Sequence, residues 1–477
     1  MAHILYVTFF HPISKFKGPF LWTTFRFPFI KALTSGSLPH RISELHAEYG
    51  PIVRVAPDEL SFTDPVAWRD IHAKNLLRAP QYSNKPPGKD AENLISANES
   101  DHARFRKVMA PAFAEKSVHE HEEAIQEHVN LLIQRLHQRV GDTDSNQTMN
   151  ILQWFNYTTL DMIGDFVLSS SFGCLEREQM PSWMRPLNQF KITMFRVAFR
   201  YYPPVDSLLN FITPKAALAP LMNIWRRIEE SLSKRLTMSA DRSDIIHHII
   251  AANESPSDLH MSRSEIEINI LSLIVAGSES VTTVLTGITN YLLRNPSKLN
   301  TLVQETRSSF PNETDITGVS LSRLPYLNAV LQEGLRLCPT IPDGMRRITP
   351  KGGAAVAGHF LPEDITVSIP QWATYQSSRN FHSPSSFLPE RWLPSSAEEP
   401  SPYAQDRKDA FNPFSLGARN CPGRGLAWLE MRLILARVLW NFDIATPTGV
   451  ELPVWERQEI YWFWVKEPLV VRLRRAR

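Results

Sequence analysis

Apolar residues recur at helical spacing over residues 102–136 and again over 151–167, with a polar loop at 141–146 between them. The longest helical signal opens at Ser262, where Ser262 and Glu265 stand at capping-box spacing, and closes at Arg294 before Asn295-Pro296. Its middle, residues 270–275, is apolar on nearly every side and broken only by Ser272, which sends this helix through the protein centre. Further helices are predicted at 296–309, 325–337 and 425–440. Strand signals are fewer. Residues 52–55 after Gly50-Pro51, followed by 60–62, read as a hairpin, and the Gly-bearing, β-branched stretch 348–367 reads as short strands. Residues 395–412 have the polar, Pro-containing character of a loop, and no internal repeat is present. The pattern describes a chain that is mainly α with small β-sheets.

Composition narrows the function. With 477 residues, 43% of them hydrophobic and 21% charged, the chain has the material for a large core and a bulky cofactor. A formal charge of +2 gives no global field for nucleic acid, and no nucleic-acid partner is expected. Arg472, Arg474, Arg475 and Arg477 read as a solvated tail. No Gly-x-Gly-x-x-Gly or Gly-Lys-Ser/Thr loop follows a strand, so a nucleotide cofactor bound by this chain is not indicated. His119, His121 and Glu122 crowd together without forming His-Glu-x-x-His, which makes them a helix surface rather than a zinc site; His247-His248 is likewise unsupported. At the N-terminus, apolar residues 4–10 are interrupted by His11, Pro12, Lys15, Lys17 and Pro19. About ten residues of helix reach about 15 Å, roughly half the hydrocarbon thickness, too little to span a bilayer.

Cys174, Cys338 and Cys421 lie far apart, which fits a reducing compartment and neither a zinc ribbon nor a disulfide scaffold. A lone cysteine is ordinarily an inert buried thiol. Cys421 has a different setting: a Gly-bearing loop feeding a helix near Gly425, where loop amides and the helix dipole favour negative sulfur. Gly417 and Gly423 let the backbone approach a flat ligand, and Arg419 adds a cation able to pair with a carboxylate. Phe414, Gly417, Arg419, Cys421 and Gly423 together resemble, position by position, the Phe-x-x-Gly-x-Arg-x-Cys-x-Gly haem-binding signature of the cytochrome P-450 superfamily.

Other motifs carry the same resemblance. Glu333 and Arg336 share one helix face and match the Glu-x-x-Arg of that family; Pro389-Glu390-Arg391-Trp392 is similar to the element whose arginine completes a buried, structural ion triad. Ala276-Gly277-Ser278-Glu279-Ser280 lies mid-helix, where glycine costs about 1 kcal/mol relative to alanine. Beside a haem, Ala276 and Gly277 would admit dioxygen, and Glu279 with Ser280 would relay protons. The family usually has Thr where this chain has Ser280, so the hydroxyl stays and the stiff β-branched rotamer is lost; Thr282 and Thr283 are off the motif position. His102 and Arg106 resemble the Trp/His-x-x-x-Arg element that holds a haem propionate, and Arg347 stands where the family places another such cation.

The resemblance extends from about His11 to Pro468 and implies the cytochrome P-450 fold, a triangular helical body with a central long helix over the haem. It implies haem b (iron protoporphyrin IX) with Cys421 as axial iron ligand. It also implies dioxygen activation with electrons from NADPH, delivered by a separate cytochrome P-450 reductase that docks on Arg104, Lys107, Arg424 and Arg432. The N-terminal texture is similar to microsomal fungal members of secondary metabolism. That makes residues 1–19 a truncated anchor and Pro-containing hinge, and 20–477 a catalytic domain on the cytoplasmic face of the endoplasmic reticulum membrane. By the same likeness 83–100, 271–280, 340–345 and 460–463 line a pocket for a lipophilic, partly oxygenated molecule, such as a terpenoid, polyketide or alkaloid intermediate. A rearrangement or desaturation on the same fold, and a non-catalytic haem protein, are the competing functions.

Overall fold

The computed structural model describes Met1 to Ala476 except residues 75, 84, 142–146, 189, 239–243, 257–258 and 395–400. The predicted loop at 141–146 and the first part of 395–412 therefore fall almost wholly outside the described residues, as does Arg477. The helical body is built from α1 (Glu99–Met109), α2 (Glu122–Val140), α3 (Ile151–Leu168), α4 (Ala219–Leu236), α5 (Arg263–Arg294), α6 (Pro296–Ser309), α7 (Pro325–Leu337) and α8 (Arg424–Asn441), with shorter helices between them.

The helix signals translate closely, with one break. Ser262 caps α5 by accepting from the Glu265 amide, while the Glu265 side chain reaches back to the Ser262 amide. Every residue of α5 from Val281 to Leu292 is buried. This helix is long and apolar enough to cross a membrane by length and composition, yet 61% of its most apolar window is buried within the protein. It is a core helix packed chiefly on α3. The stretch 102–136, read as one helix, is three. Asn98 caps α1 by accepting from the Asp101 amide, which starts it earlier; Pro111 then breaks the pattern into a 3₁₀ turn, Ala110–Phe113, and a short helix, Glu115–Glu120, before α2 begins.

The strands are β1 (Ile52–Ala56), β2 (Glu59–Phe62), β3 (Leu77–Arg78), β4 (Thr148–Asn150), β5 (Arg347–Ile348), β6 (Ala354–Val356), β7 (His359–Leu361), β8 (Thr366–Ser368), β9 (Phe442–Ala445), β10 (Ile460–Tyr461), β11 (Phe463–Trp464) and β12 (Val470–Arg475). The main sheet runs β1-β2-β8-β5-β3, with β2 and β8 parallel and its other pairs antiparallel. The predicted hairpin is β1–β2, and 348–367 yields β6, β7 and β8 with the end of β5.

The C-terminal arginines are not a solvated tail. Arg472, Arg474 and Arg475 belong to β12, between β4 and β9, and Arg474 pairs with Asp443 at 3.0 Å. Val471 and Leu473 are buried between them, a period-two alternation that specifies a strand. At the other terminus two helical turns, Ala2–Leu5 and Tyr6–Phe10, lie against the hairpin. Val7 is buried and its carbonyl accepts from Arg54 Nη1 at 3.0 Å, while Leu5, Tyr6, Phe9 and Phe10 stay exposed.

Candidate active site

The Cys421 loop is shaped by its own hydrogen bonds. The Cys421 amide donates to the Phe414 carbonyl at 2.9 Å, and the Asn420 amide donates to Gly417 at 3.1 Å. Gly417 sits at φ 76°, the left-handed region that favours glycine. Gly423 has an ordinary φ, and a Cβ there would meet only Phe113 at 3.8 Å. No protein atom demands glycine at that position. It lines a cavity, and a side chain would take space that a ligand needs. Arg106 donates to the Asn420 carbonyl at 3.2 Å and to Asn420 Oδ1 at 2.9 Å, tying α1 to the loop.

Cys421 opens into a cavity of about 300 Å³ bounded by Phe414, Gly423 and Leu426 on the loop side and by Ala276, Gly277 and Ser280 of α5. His102, Arg347 and Arg419 also line it. A second pocket, between α3 and α4, shares no lining residue with this one, and the cysteine marks the chemistry. Burial pushes the Cys421 thiol up; the Gly423 amide and the Arg106 charge pull the other way without overcoming it. A thiolate here would draw on the Gly423 amide and the Arg106 charge, and a metal cation bound in the cavity would add to them.

The cations collect on one side of the cavity. Arg419 is held by Glu99, at 3.1 Å, and by the Ala97 carbonyl, at 2.7 Å. Arg78 and Arg347 face each other across the β3–β5 register. Arg78 Nε and Nη1, Arg347 Nε and His72 Nδ1 are buried with no hydrogen-bond partner. Buried donors of this kind are costly unless a ligand accepts from them. A cofactor carrying carboxylates meets that demand, so the donor set fits haem. Burial lowers His102 to about 4, with Arg419 and Arg106 adding to the effect, so it presents a neutral ring and not a cation. Arg106, predicted to face the same ligand, is instead committed to Asn420 and is not among the lining residues. His72, on the helical turn Arg69–Ala73, lines the cavity and was missed because no local pattern marks it; Arg78 meets Arg347 by strand pairing and is not itself among the lining residues.

On α5, Gly277 lines the cavity and also packs on α3, where a Cβ would come within 2.6 Å of Ile163 Cδ1. Ser278 bonds back to the Ile274 carbonyl at 2.7 Å. Ser280 faces the cavity and its hydroxyl has no partner among the described residues. Glu279 does not line the cavity; its carboxylate accepts from Lys466 Nζ at 2.5 Å, a cation with no signal in the sequence. Of the predicted lining segments, Leu94, Ile95, Thr340, Met345, Trp462 and Phe463 reach the cavity, whereas Tyr461 packs into a separate cluster with Phe29.

Glu333, Arg336 and Arg391 form the anticipated triad and are fully buried. Arg336 Nη2 donates to Glu333 Oε1 at 2.7 Å and Arg391 Nε donates to the same oxygen at 3.2 Å. Trp392 Nε1 and the Leu388 amide also donate to this carboxylate, both at 2.9 Å. Burial would raise the Glu333 pKa, but the two guanidinium groups and these donors hold it below its usual value. Arg391 also pairs with buried Asp406, which the sequence reading did not include. The predicted docking cations fare unevenly. Arg104 is committed to Asp101 and Glu265, at 2.8 and 2.6 Å, and so braces α1 on α5 instead of standing free; Lys107 is exposed. Arg432 bonds Asn328 at 2.8 Å and Arg424 lies 5.9 Å over Phe414.

Comparison with known proteins gives the family. The family described as Cytochrome P450 matches residues 17–469. The chain is 36% identical to cytochrome P450 monooxygenase efuB of Hormonema carpetanum, across 99% of this chain and 93% of the relative. It is also 36% identical to averantin hydroxylase of Dothistroma septosporum, across 99% and 89%, and 35% identical to cytochrome P450 monooxygenase astJ of Aspergillus oryzae, across 98% and 93%. The mainly helical body, the lone thiol at the cavity wall and these matches agree, and the chain belongs to the cytochrome P450 family as a monooxygenase.

Proposed function

We propose that Cys421 ligates the iron of haem b, and that the protein inserts oxygen into a lipophilic, partly oxygenated secondary metabolite of the terpenoid, polyketide or alkaloid kind. The observation that carries this reading is a thiol facing a cavity beside buried guanidinium and imidazole donors that lack acceptors. Haem bound there supplies the oxygen chemistry, in which dioxygen, two electrons and two protons yield one inserted oxygen atom and one water.

The chain's own residues bind, orient and deliver. Arg347, Arg419 and the neutral His102 ring hold the haem carboxylates, Arg78 stands behind Arg347 across the β3–β5 pair, and Arg106 fixes the cysteine loop through Asn420. Phe414, Gly417 and Gly423 shape the loop face, and Ala276 with Gly277 leaves room for dioxygen on the other. Ser280 presents the hydroxyl that hands on protons, with Glu279 beside it as their source. Glu333, Arg336 and Arg391 act as scaffold for the loop.

Electrons come from NADPH through a separate flavoprotein reductase, because no nucleotide loop is present in the sequence. Exposed Leu5, Phe9 and Phe10 support contact with the cytoplasmic face of the endoplasmic reticulum membrane. The decisive measurement is the reduced, carbon-monoxide-bound spectrum of wild type and Cys421→Ala. Wild type should show the red-shifted thiolate Soret band and the variant should lose it; a folded wild type without that band would defeat the assignment.

A further inference from the structure

We infer that the substrate binds as an uncharged molecule, a neutral polyketide or terpenoid rather than a protonated alkaloid amine, because each carboxylate on α5 is already closed by a cation of the protein. This deepens the proposed function and rests on its reading of the cavity as the site of haem and substrate.

The acids of α5 are Glu265, Glu267 and Glu279. Glu265 accepts from Arg104 at 2.6 Å. Glu267 accepts from Lys89 at 2.5 Å and from Arg263 at 3.0 Å, and the Lys89 and Glu267 side chains are 8% and 4% exposed. Glu279 accepts from Lys466 at 2.5 Å. Among the described residues that line the cavity, α5, the Leu94–Ile95 stretch and the Trp462–Phe463 turn contribute no charge at all. The charged lining groups are Arg347, Arg419 and Glu430. Both arginines serve the haem carboxylates in the proposed reading. Glu430 stands on α8 one turn from Leu426, on the Cys421 side, and burial pushes its carboxyl up to about 8, which makes it an uncharged acid at neutral pH. A cationic ligand would therefore give up its water without meeting a counter-ion. An anionic one would compete with haem for the same guanidinium groups.

The polar groups on the N-terminal half of α5 are withheld as well. Asn269 Oδ1 accepts from the Leu94 amide at 2.8 Å while its Nδ2 donates to the Glu265 carbonyl at 2.8 Å. The Ser272 hydroxyl donates to the Ile268 carbonyl at 2.9 Å and accepts from Asn93 Nδ2 at 2.6 Å. These bonds lay Leu94 and Ile95 along α5, so that the wall they form with Leu273 is apolar. The Ser280 and Thr340 hydroxyls line the cavity with no protein partner among the described residues. A hydroxyl suits a carbonyl or hydroxyl oxygen and cannot neutralise a full charge. Hydrocarbon against 94–95 and neutral oxygen near Ser280 or Thr340 is the ligand that leaves nothing unpaired.

The test uses probes of matched shape that differ in charge: 2-tert-butylnaphthalene against trimethyl(2-naphthyl)ammonium, and 2-acetylnaphthalene against 2-naphthoate. Binding to the haem-loaded protein is read from the haem absorption, directly and by competition within each pair, so that only occupants of the cavity count. Each neutral probe should bind at least about a hundredfold more tightly than its ion, the scale of leaving one charge unpaired away from water. Thr340→Asp places a carboxylate at the cavity wall and should bring the ammonium about tenfold closer to its neutral counterpart, while naphthoate gains nothing. If that variant loses the thiolate carbon-monoxide band, Leu273→Asp makes the same change from α5 and should act in the same direction. A neutral probe that does not bind, or a wild-type ratio below about a hundredfold, overturns the inference. So does an unchanged ammonium ratio in whichever carboxylate variant keeps the band. Loss of that band in wild type would instead count against the haem assignment, so the two failures are distinct.

Discussion

Cys421 and its neighbours were legible because the chemistry is written in consecutive residues: Phe414, Gly417, Arg419 and Gly423 lie within one loop, and their spacing survives folding unchanged. Residues brought from afar were not. Arg78 arrives by pairing with Arg347 across β3 and β5, Lys466 by the return of the C-terminal chain to α5, and Asp406 by the approach of a loop to Arg391. None of these carries a local pattern. The triad shows what such partners are worth. Arg391 donates to Glu333, pairs with Asp406 and bonds the His382 carbonyl, all at under 2% exposure of the two charged side chains it pairs with. Arg391→Met takes from buried Asp406 the guanidinium it pairs with and from Glu333 one of its two guanidinium groups, and should cost about 3 to 5 kcal/mol, the usual penalty for breaking a buried pair. Denaturant unfolding of the variant would measure it. A loss below about 1 kcal/mol would mean that water reaches these groups and that the triad is not a scaffold.

Helices were read well wherever one sequence pattern and one cap agreed, and less well where a local breaker competed with periodicity. The capping box at Ser262 is the clearest success, with both reciprocal hydrogen bonds formed. Pro111 overruled an apolar period that continues through it, splitting the predicted helix. Beyond the β1–β2 hairpin, strand order was not legible, because β2 also pairs with β8 from a distant part of the chain, and β12 joins β4 to β9. The periodic signal of β12 was present but masked by its arginines. At this scale Ser262→Ala should lower stability by about 1 kcal/mol, typical for loss of a cap. Amide exchange should quicken in the first turn of α5 and stay slow from Val281 to Leu292, where the helix is buried throughout. Uniform acceleration along the whole helix would show that its N-terminal cap sets the stability of the core, contrary to this expectation.

At the scale of the whole molecule, stability depends on pH through buried histidines, and one of them ties the helix Leu38–Tyr49 to the main sheet. His46 lies in the helix Leu38–Tyr49 and bridges to β2: its Nδ1–H donates to the Gly50 carbonyl at 2.8 Å, which leaves Nε2 to accept from the Ser61 hydroxyl at 2.7 Å. Burial lowers its pKa to about 4, with the bond to Gly50 opposing part of that shift. The unfolded chain binds a proton at about 6.5, so between those values the unfolded state carries more protons and folding weakens as pH falls. The contribution of His46 is complete above about pH 6.5 and disappears as pH drops through about 4, a loss of about 3 kcal/mol at about 1.4 kcal/mol per unit of pKa. His72 and His102 are lowered by burial too, so the acid limb of the wild type is a sum. The difference between wild type and His46→Gln isolates one term. Gln keeps a donor and an acceptor but does not titrate, so its urea midpoint should fall less steeply between pH 6.5 and 4 than that of wild type. Parallel curves across that window would mean that the contact between this helix and the sheet opens to water before the histidine protonates.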